Sequence, residues 1–252
     1  MEDNRIWVDK LVLDWNVRSQ SSSETSHKDR MRAYELWNHA ESILNSNNDE
    51  LHRVDAISTL KRCLNQRLKF IEYVYGFREI SLELSPKGYL ELLETFNLVR
   101  PLMLKKLMTV RNDIEHNDAE PPSIERCMEL LDLSWYFLKS TDGFLAWRQD
   151  DFIYYDVDDD GRETQYWINV TVDFDLNHKF NVRGWVPNEI VAIEPFDGAV
   201  ELFVDSIGKN KDRWPNKSIH GDKLDSDIYF SGILGENSKF KHQVLRDALS
   251  IF

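Results

Sequence analysis

The spacing of apolar residues changes character once along this chain, near residue 145, and that change limits the folds open to it. Before Thr141-Asp142-Gly143 the apolar positions recur every three or four residues, the period of an amphipathic helix. One stripe runs from Lys28 to Asn45 through Met31, Tyr34, Trp37, Ala40 and Leu44. A second runs from Asp49 to Tyr75 through Ile57, Leu60, Leu64, Leu68 and Ile71, with Gly76 placed to cap it. Shorter helices follow Pro86 and Pro101, the latter reaching about His116, and a last helix follows Pro121-Pro122-Ser123. Proline suits a first turn because its missing N–H has no helical partner there. Beyond residue 145, segments 151–157, 164–174, 179–186, 189–194, 199–207 and 226–234 are rich in Ile, Val, Tyr, Phe and Trp, with Gly and Asp-Asn clusters between them. That texture predicts short antiparallel strands, and 239–250 a closing helix.

These patterns lead to an α+β expectation: an N-terminal all-α helical bundle followed by a mainly antiparallel β domain. The boundaries expected are 1–27 for an N-terminal arm ending in the Ser-rich linker 19–26, 28–145 for the bundle, and 146–252 for a β-rich accessory domain. Residues 6–17 (IWVDKLVLDWNV) fit a strand or a short helix equally, because periodicity does not separate the two over so few residues.

Charge and cysteine usage narrow the function classes. The net charge of −13 weighs against general nucleic-acid binding. The acid is uneven: residues 1–148 hold 20 Lys and Arg against 24 Asp and Glu, and residues 149–252 hold 11 against 20. A local basic cleft in the helical part is compatible with that distribution. Two cysteines in 252 residues, no apolar run of membrane-spanning length and an acidic start without a signal core lead to the expectation of a soluble cytoplasmic protein. The Asn169-Val-Thr171 and Asn216-Lys-Ser218 sequons are then chance.

The helix after Pro101 carries the most informative stretch, Val110-Arg111-Asn112-Asp113-Ile114-Glu115-His116. At roughly 100° per residue, Met103, Leu107, Val110 and Ile114 share the face expected toward the bundle. Leu104, Met108, Arg111 and Glu115 form a second stripe, with Asn112 and His116 stacked beside it at i, i+4. A helix apolar on two sides is expected to meet a second copy of the protein, with Leu104 and Met108 at the dimer interface. On residue chemistry alone a plain alternative stands: Arg111 paired with Glu115 at i+4, and His116 at the helix C-terminus, where positive charge is favoured.

Arg111-Asn112-x-x-x-His116, near the end of a helix and just before Pro-Pro and a last helix, resembles the R-x4–6-H signature of the HEPN superfamily, in which a polar residue, often Asn, follows the arginine. The resemblance covers roughly residues 28–140. It implies a HEPN-like bundle that dimerises, bringing two motifs to a shared cleft. It also implies a metal-independent endoribonuclease of the toxin-antitoxin, antiviral-defence or RNA-processing kind, with no cofactor. His116 would be general base or acid toward the ribose 2′-OH and the leaving oxygen. Arg111 would hold the scissile phosphate, and Asn112 would orient His116 or the phosphate. Lys61, Arg62, Arg67, Lys105 and Lys106 would line the approach for RNA. The partners implied are a second copy, an RNA substrate and an antitoxin or regulatory protein, with no membrane. Two readings of other classes remain: a catalytically inactive HEPN module binding RNA or protein, and a dimeric interaction protein with an acidic face. The tyrosine that antitoxin-paired members often carry two residues after the histidine is Asp118 here.

Three other motifs compete weakly. Asp156-x-Asp158-x-Asp160-Gly161 copies the opening of a calcium loop, but Trp167 stands where the bidentate Glu belongs, so a hairpin turn is expected. His220, Asp222, Asp225 and Asp227 have spacing that a metal cluster and a polar loop share. Lys209, Lys211, Arg213 and Trp214 form a small basic-aromatic patch, read as a solvated loop.

Overall fold

The computed structural model describes residues 4–25, 28–47, 49–80, 86–117, 120–175, 178–209, 225–235 and 238–249. Strands begin before any helix does: β1 (Arg5–Asp9), a 3-10 turn over Lys10–Leu13, and β2 (Asn16–Glu24). The helices that follow among the described residues are α1 (Arg32–Ser46), α2 (Glu50–Tyr75), α3 (Tyr89–Thr95), α4 (Pro101–Asn117) and α5 (Ile124–Ala146). Then come β3 (Trp147–Val157), β4 (Glu163–Asp173), β5 (Lys179–Val186), β6 (Val191–Ala192), β7 (Ala199–Lys209) and β8 (Ile228–Leu234), closed by α6 (Ser238–Leu249).

The expected architecture, an all-α bundle followed by a β domain, is therefore corrected. Helices and strands are interspersed, and among the described residues the sheet has eight strands in the order β2-β3-β4-β5-β8-β7-β1-β6, two of them from the first 24 residues. Residues 6–17 resolve into strand, 3-10 turn and strand. The Ser-rich stretch expected as a linker is most of β2. Composition misled there because β2 is a sheet edge, and edge strands are kept polar to discourage further pairing. Its serines are spent on the neighbouring strand: Ser19 Oγ donates to Gln149, Ser23 Oγ to Asp150, and Ser21 Oγ lies 3.4 Å from Asp151 Oδ2.

Two compact units result. One comprises the described residues of Met1–Ser23, Glu79–Ser85 and Gln149–Ile251, and the other those of Glu24–Arg78 and Pro86–Arg148. In the chain, the helical unit lies between β2 and β3, which are neighbours in the sheet. Its two ends meet, with Thr25 N–H donating to Ala146 O at 3.0 Å. That closeness of ends is what lets a whole unit be inserted between paired strands.

In the sheet unit, Val8, Ile168, Val170, Val182, Val200 and Leu202 are buried on one face, with Phe240, Val244 and Leu245 of α6 in the same core. Tyr154, 2% exposed, donates its hydroxyl to Asp247 Oδ2 at 3.3 Å. The acidic stretch after β3 is the expected hairpin: Asp158 Oδ1 accepts the N–H groups of Asp160 and Arg162, and Gly161 adopts φ 77. Asn169, in the first sequon, is 3% exposed, and its Nδ2 donates to Phe152 O at 3.0 Å. The second sequon lies outside the described residues.

The helical unit is built on α1, α2 and α5. Leu36, Ala40, Ile57, Leu60, Leu64, Leu131 and Leu138 are buried, each Leu or Ile contributing roughly 1.5–3 kcal/mol by leaving water. Asp49 caps α2 by accepting the His52 N–H, and Gly76 ends it in the left-handed region at φ 56 with its N–H on Glu72 O at 2.7 Å. Tyr75 and Phe77 stack at 5.0 Å, and Phe77 and Phe96 at 4.8 Å, tying the end of α2 to the segment after α3. No helix among the described residues is long and apolar enough to cross a membrane.

Candidate functional site

Helix α4 begins at Pro101 and continues without a break to Asn117, so Arg111, Asn112 and His116 belong to one helix and the histidine is its penultimate residue. The side chains of Arg111, Glu115 and His116 lie outside the described part. Asn112 is exposed, and its Oδ1 lies 3.5 Å from Lys61 Nζ of α2. Packing of α2 on α4 brings the two together across 51 residues of chain.

The other expected residues are distributed as follows. Arg62 and Lys106 are exposed on α2 and α4. Lys105 is ion-paired with Glu91 of α3 at 2.5 Å, which holds the Glu91 carboxyl below its ordinary value. Arg67 does not line an approach for RNA: it is 1% exposed and donates Nη2 to Asp142 Oδ1 at 3.0 Å. The spacing held the signal, since Arg67 sits seven residues after Leu60 and three after Leu64, inside the apolar stripe. A cation at such a position marks a buried pair. Leu104 is likewise no dimer surface, being 4% exposed in the core of its own unit, while Met108 is half-buried. The inward face of α4 is centred on Leu104 and Leu107, with Val110 and Ile114 only half-buried, so it is turned from the expected one.

Two arrangements were not foreseen. Around Arg67, Tyr34 donates its hydroxyl to Asp142 Oδ2 at 2.7 Å, the Arg67 guanidinium lies 5.4 Å from the Tyr34 ring centre, and Lys139 Nζ lies 5.0 Å from the same ring. Burial, reinforced by Asp142, pushes the Tyr34 phenol above its ordinary value. The second is a groove of about 540 Å³ among α2, α3 and α4, whose lining includes Asn65 and Lys69 of α2, Tyr89 and Glu91 of α3, and Lys105 and Met108 of α4. Nothing in the spacing of those residues joins them before the helices pack.

Of the lesser motifs, Asp227 is 1% exposed and accepts from the Tyr166 hydroxyl at 3.2 Å, while His220 and Asp222 lie outside the described residues. Lys209 ends β7, and Lys211, Arg213 and Trp214 also lie outside them. Compared against known protein families, curated proteins and solved structures, the chain matches none of them.

Proposed function

We propose that the helical unit is a HEPN-type module and that the protein is a metal-independent endoribonuclease acting as a homodimer in the cytoplasm. The observation that carries this reading is the placement of Arg111, Asn112 and His116 on the last two turns of a single helix, with Lys61 reaching Asn112 from α2. On an ideal helix Arg111 and His116 are about 140° apart. One copy would need the long Arg111 side chain or a frayed helix end to bring both onto one phosphate, whereas two copies related by a twofold axis supply each from a different chain more simply.

In the cleft, Arg111 holds the scissile phosphate and stabilises the charge that grows on it. His116 takes the proton of the ribose 2′-OH as that oxygen attacks phosphorus, or returns one to the departing 5′ oxygen. The P–O5′ bond breaks, leaving a 2′,3′-cyclic phosphate and a 5′-OH. DNA, without the 2′-OH, has no nucleophile for this step. Asn112, held by Lys61, orients the phosphate.

The test uses purified full-length protein, a labelled single-stranded RNA and EDTA. Wild type should cut it and leave the cyclic phosphate, while His116→Ala and Arg111→Ala should not. Equal cutting by all three rejects the assignment. RNA binding without cutting by wild type would leave the catalytically silent module in its place.

A further inference from the structure

The groove among α2, α3 and α4 continues the line that begins at Asn112. Helices α2 and α4 pack together, with Lys61 opposite Asn112, and Lys69 of α2 and Lys105 of α4 line the groove. From Met108 and Lys105 to Asn112 is four to seven residues of helix, roughly 6–10 Å along the axis. A volume of about 540 Å³ falls in the range that takes one small organic ligand.

Its lining is chemically divided. Lys69 and the Arg78 guanidinium are exposed cations, and neither forms an ion pair among the described residues. Arg78 stacks on the Tyr89 ring at 4.4 Å, which presents its planar face and fork in a fixed orientation. Leu68, Leu90 and Met108 supply an apolar wall. The two carboxylates of the lining are engaged, Glu72 accepting the Arg78 backbone N–H at 3.3 Å and Glu91 ion-paired with Lys105. A polyanion filling such a groove would be repelled by the carboxylates, and an apolar ligand would strand the cations. One nucleotide satisfies both ends, with its phosphate on the cations and its base against the apolar wall.

We propose, resting on the ribonuclease reading, that this groove is a subsite for one nucleotide of the RNA substrate next to the scissile phosphate, with Lys69 and Arg78 on its phosphate. The base then lies against Leu68, Leu90 and Met108, so the subsite takes a nucleotide by its phosphate and the apolar face of its base, without choosing between cytidine and uridine.

The experiment is fluorescence anisotropy with 5′-labelled octacytidylate and octauridylate on full-length His116→Ala protein, which binds without cutting. Both oligomers should bind, and adding Lys69→Glu or Arg78→Ala should weaken both by roughly tenfold or more, as loss of a charge-assisted contact does. Both side chains are exposed, so the fold should survive, and circular dichroism checks this. No binding of either oligomer, or unchanged affinity in both variants, overturns the subsite. If His116→Ala stops cleavage while Lys69→Glu and Arg78→Ala bind as before, the subsite falls and the enzyme stands. If those variants lose binding although wild type cuts nothing, the enzyme falls and the nucleotide site stands.

Discussion

Arg67 Nη2 and Asp142 Oδ1 lie 3.0 Å apart, joining the middle of α2 to the last turns of α5 around a guanidinium that is 1% exposed. Among the described residues, Nε and Nη1 of that guanidinium find no hydrogen-bond partner, so Asp142 carries most of the compensation for burying the charge. Removing it strands a cation in the core. Asp142→Ala is expected to destabilise the protein by about 3 kcal/mol, at the low end for a buried pair because Asp142 keeps contact with water. Arg67→Met, which removes the charge and keeps the volume, should cost less. Urea unfolding of the two variants checks the order, and a smaller loss for Asp142→Ala than for Arg67→Met would contradict it.

Alkaline pH should loosen the helical unit. Burial pushes the Cys63 thiol from an ordinary 9.0 up to about 12, and burial also raises the Tyr34 and Tyr89 phenols. A group with a raised folded pKa favours the folded state while protonated. Its contribution is complete below the unfolded value and is lost as pH climbs toward the folded one. For Cys63 that window runs from about 9 to about 12. The unfolding midpoint should therefore fall with each step above pH 9, and Cys63→Ala or Cys63→Ser should flatten the slope. A maleimide or iodoacetamide probe at pH 8 should leave Cys63 unmodified until the chain unfolds.

Lys61 and Asn112 offer a test of positioning. Lys61→Met removes the ammonium 3.5 Å from Asn112 Oδ1 and keeps the aliphatic stem against α4. Cleavage by the variant is expected to fall by roughly three- to tenfold, as loss of a modest polar contact does, with the melting temperature almost unchanged. Thermal scans beside the RNA assay separate the two effects. A drop in stability equal to the drop in activity would make Lys61 structural only.

The sheet has its own weak point at Gly232. A Cβ there would sit 2.1 Å from Phe203 O and 2.7 Å from Val204 Cα, both backbone atoms of the neighbouring strand β7. Backbone cannot yield as a side chain tip can, so Gly232→Ala is expected to cost about 3 kcal/mol or more and to disturb the β7–β8 pairing. Gly161→Ala, in open solvent at φ 77, should cost only about 1 kcal/mol, for the left-handed backbone alone. Denaturant unfolding of the two variants checks the contrast.

Much of the chain was legible residue by residue because its signals are local. The Gly76 cap, the Pro101 start and the Asp160-Gly161 turn each follow from steric or hydrogen-bonding needs within a few residues. The helix carrying Arg111 and His116 was readable for the same reason. Other features were hidden because their cause is remote. A run of serines looks like a linker until Gln149, Asp150 and Asp151 of another strand accept its hydroxyls. Leu104 looks like a second face until the rotation of α4 against its neighbours puts it in the core.

What the sequence alone determined here is the presence and approximate position of the helices, the hairpin and the Arg111–His116 spacing, all set by periodicity, caps and backbone sterics. Only the tertiary structure decided that β1 and β2 join a sheet whose other strands lie more than 120 residues away, that Arg67 is buried on Asp142, and that Lys69, Arg78 and Lys105 border one groove. Those outcomes depend on which surfaces meet, and side chains distant in the chain acquire a common chemistry only once packing has chosen their neighbours.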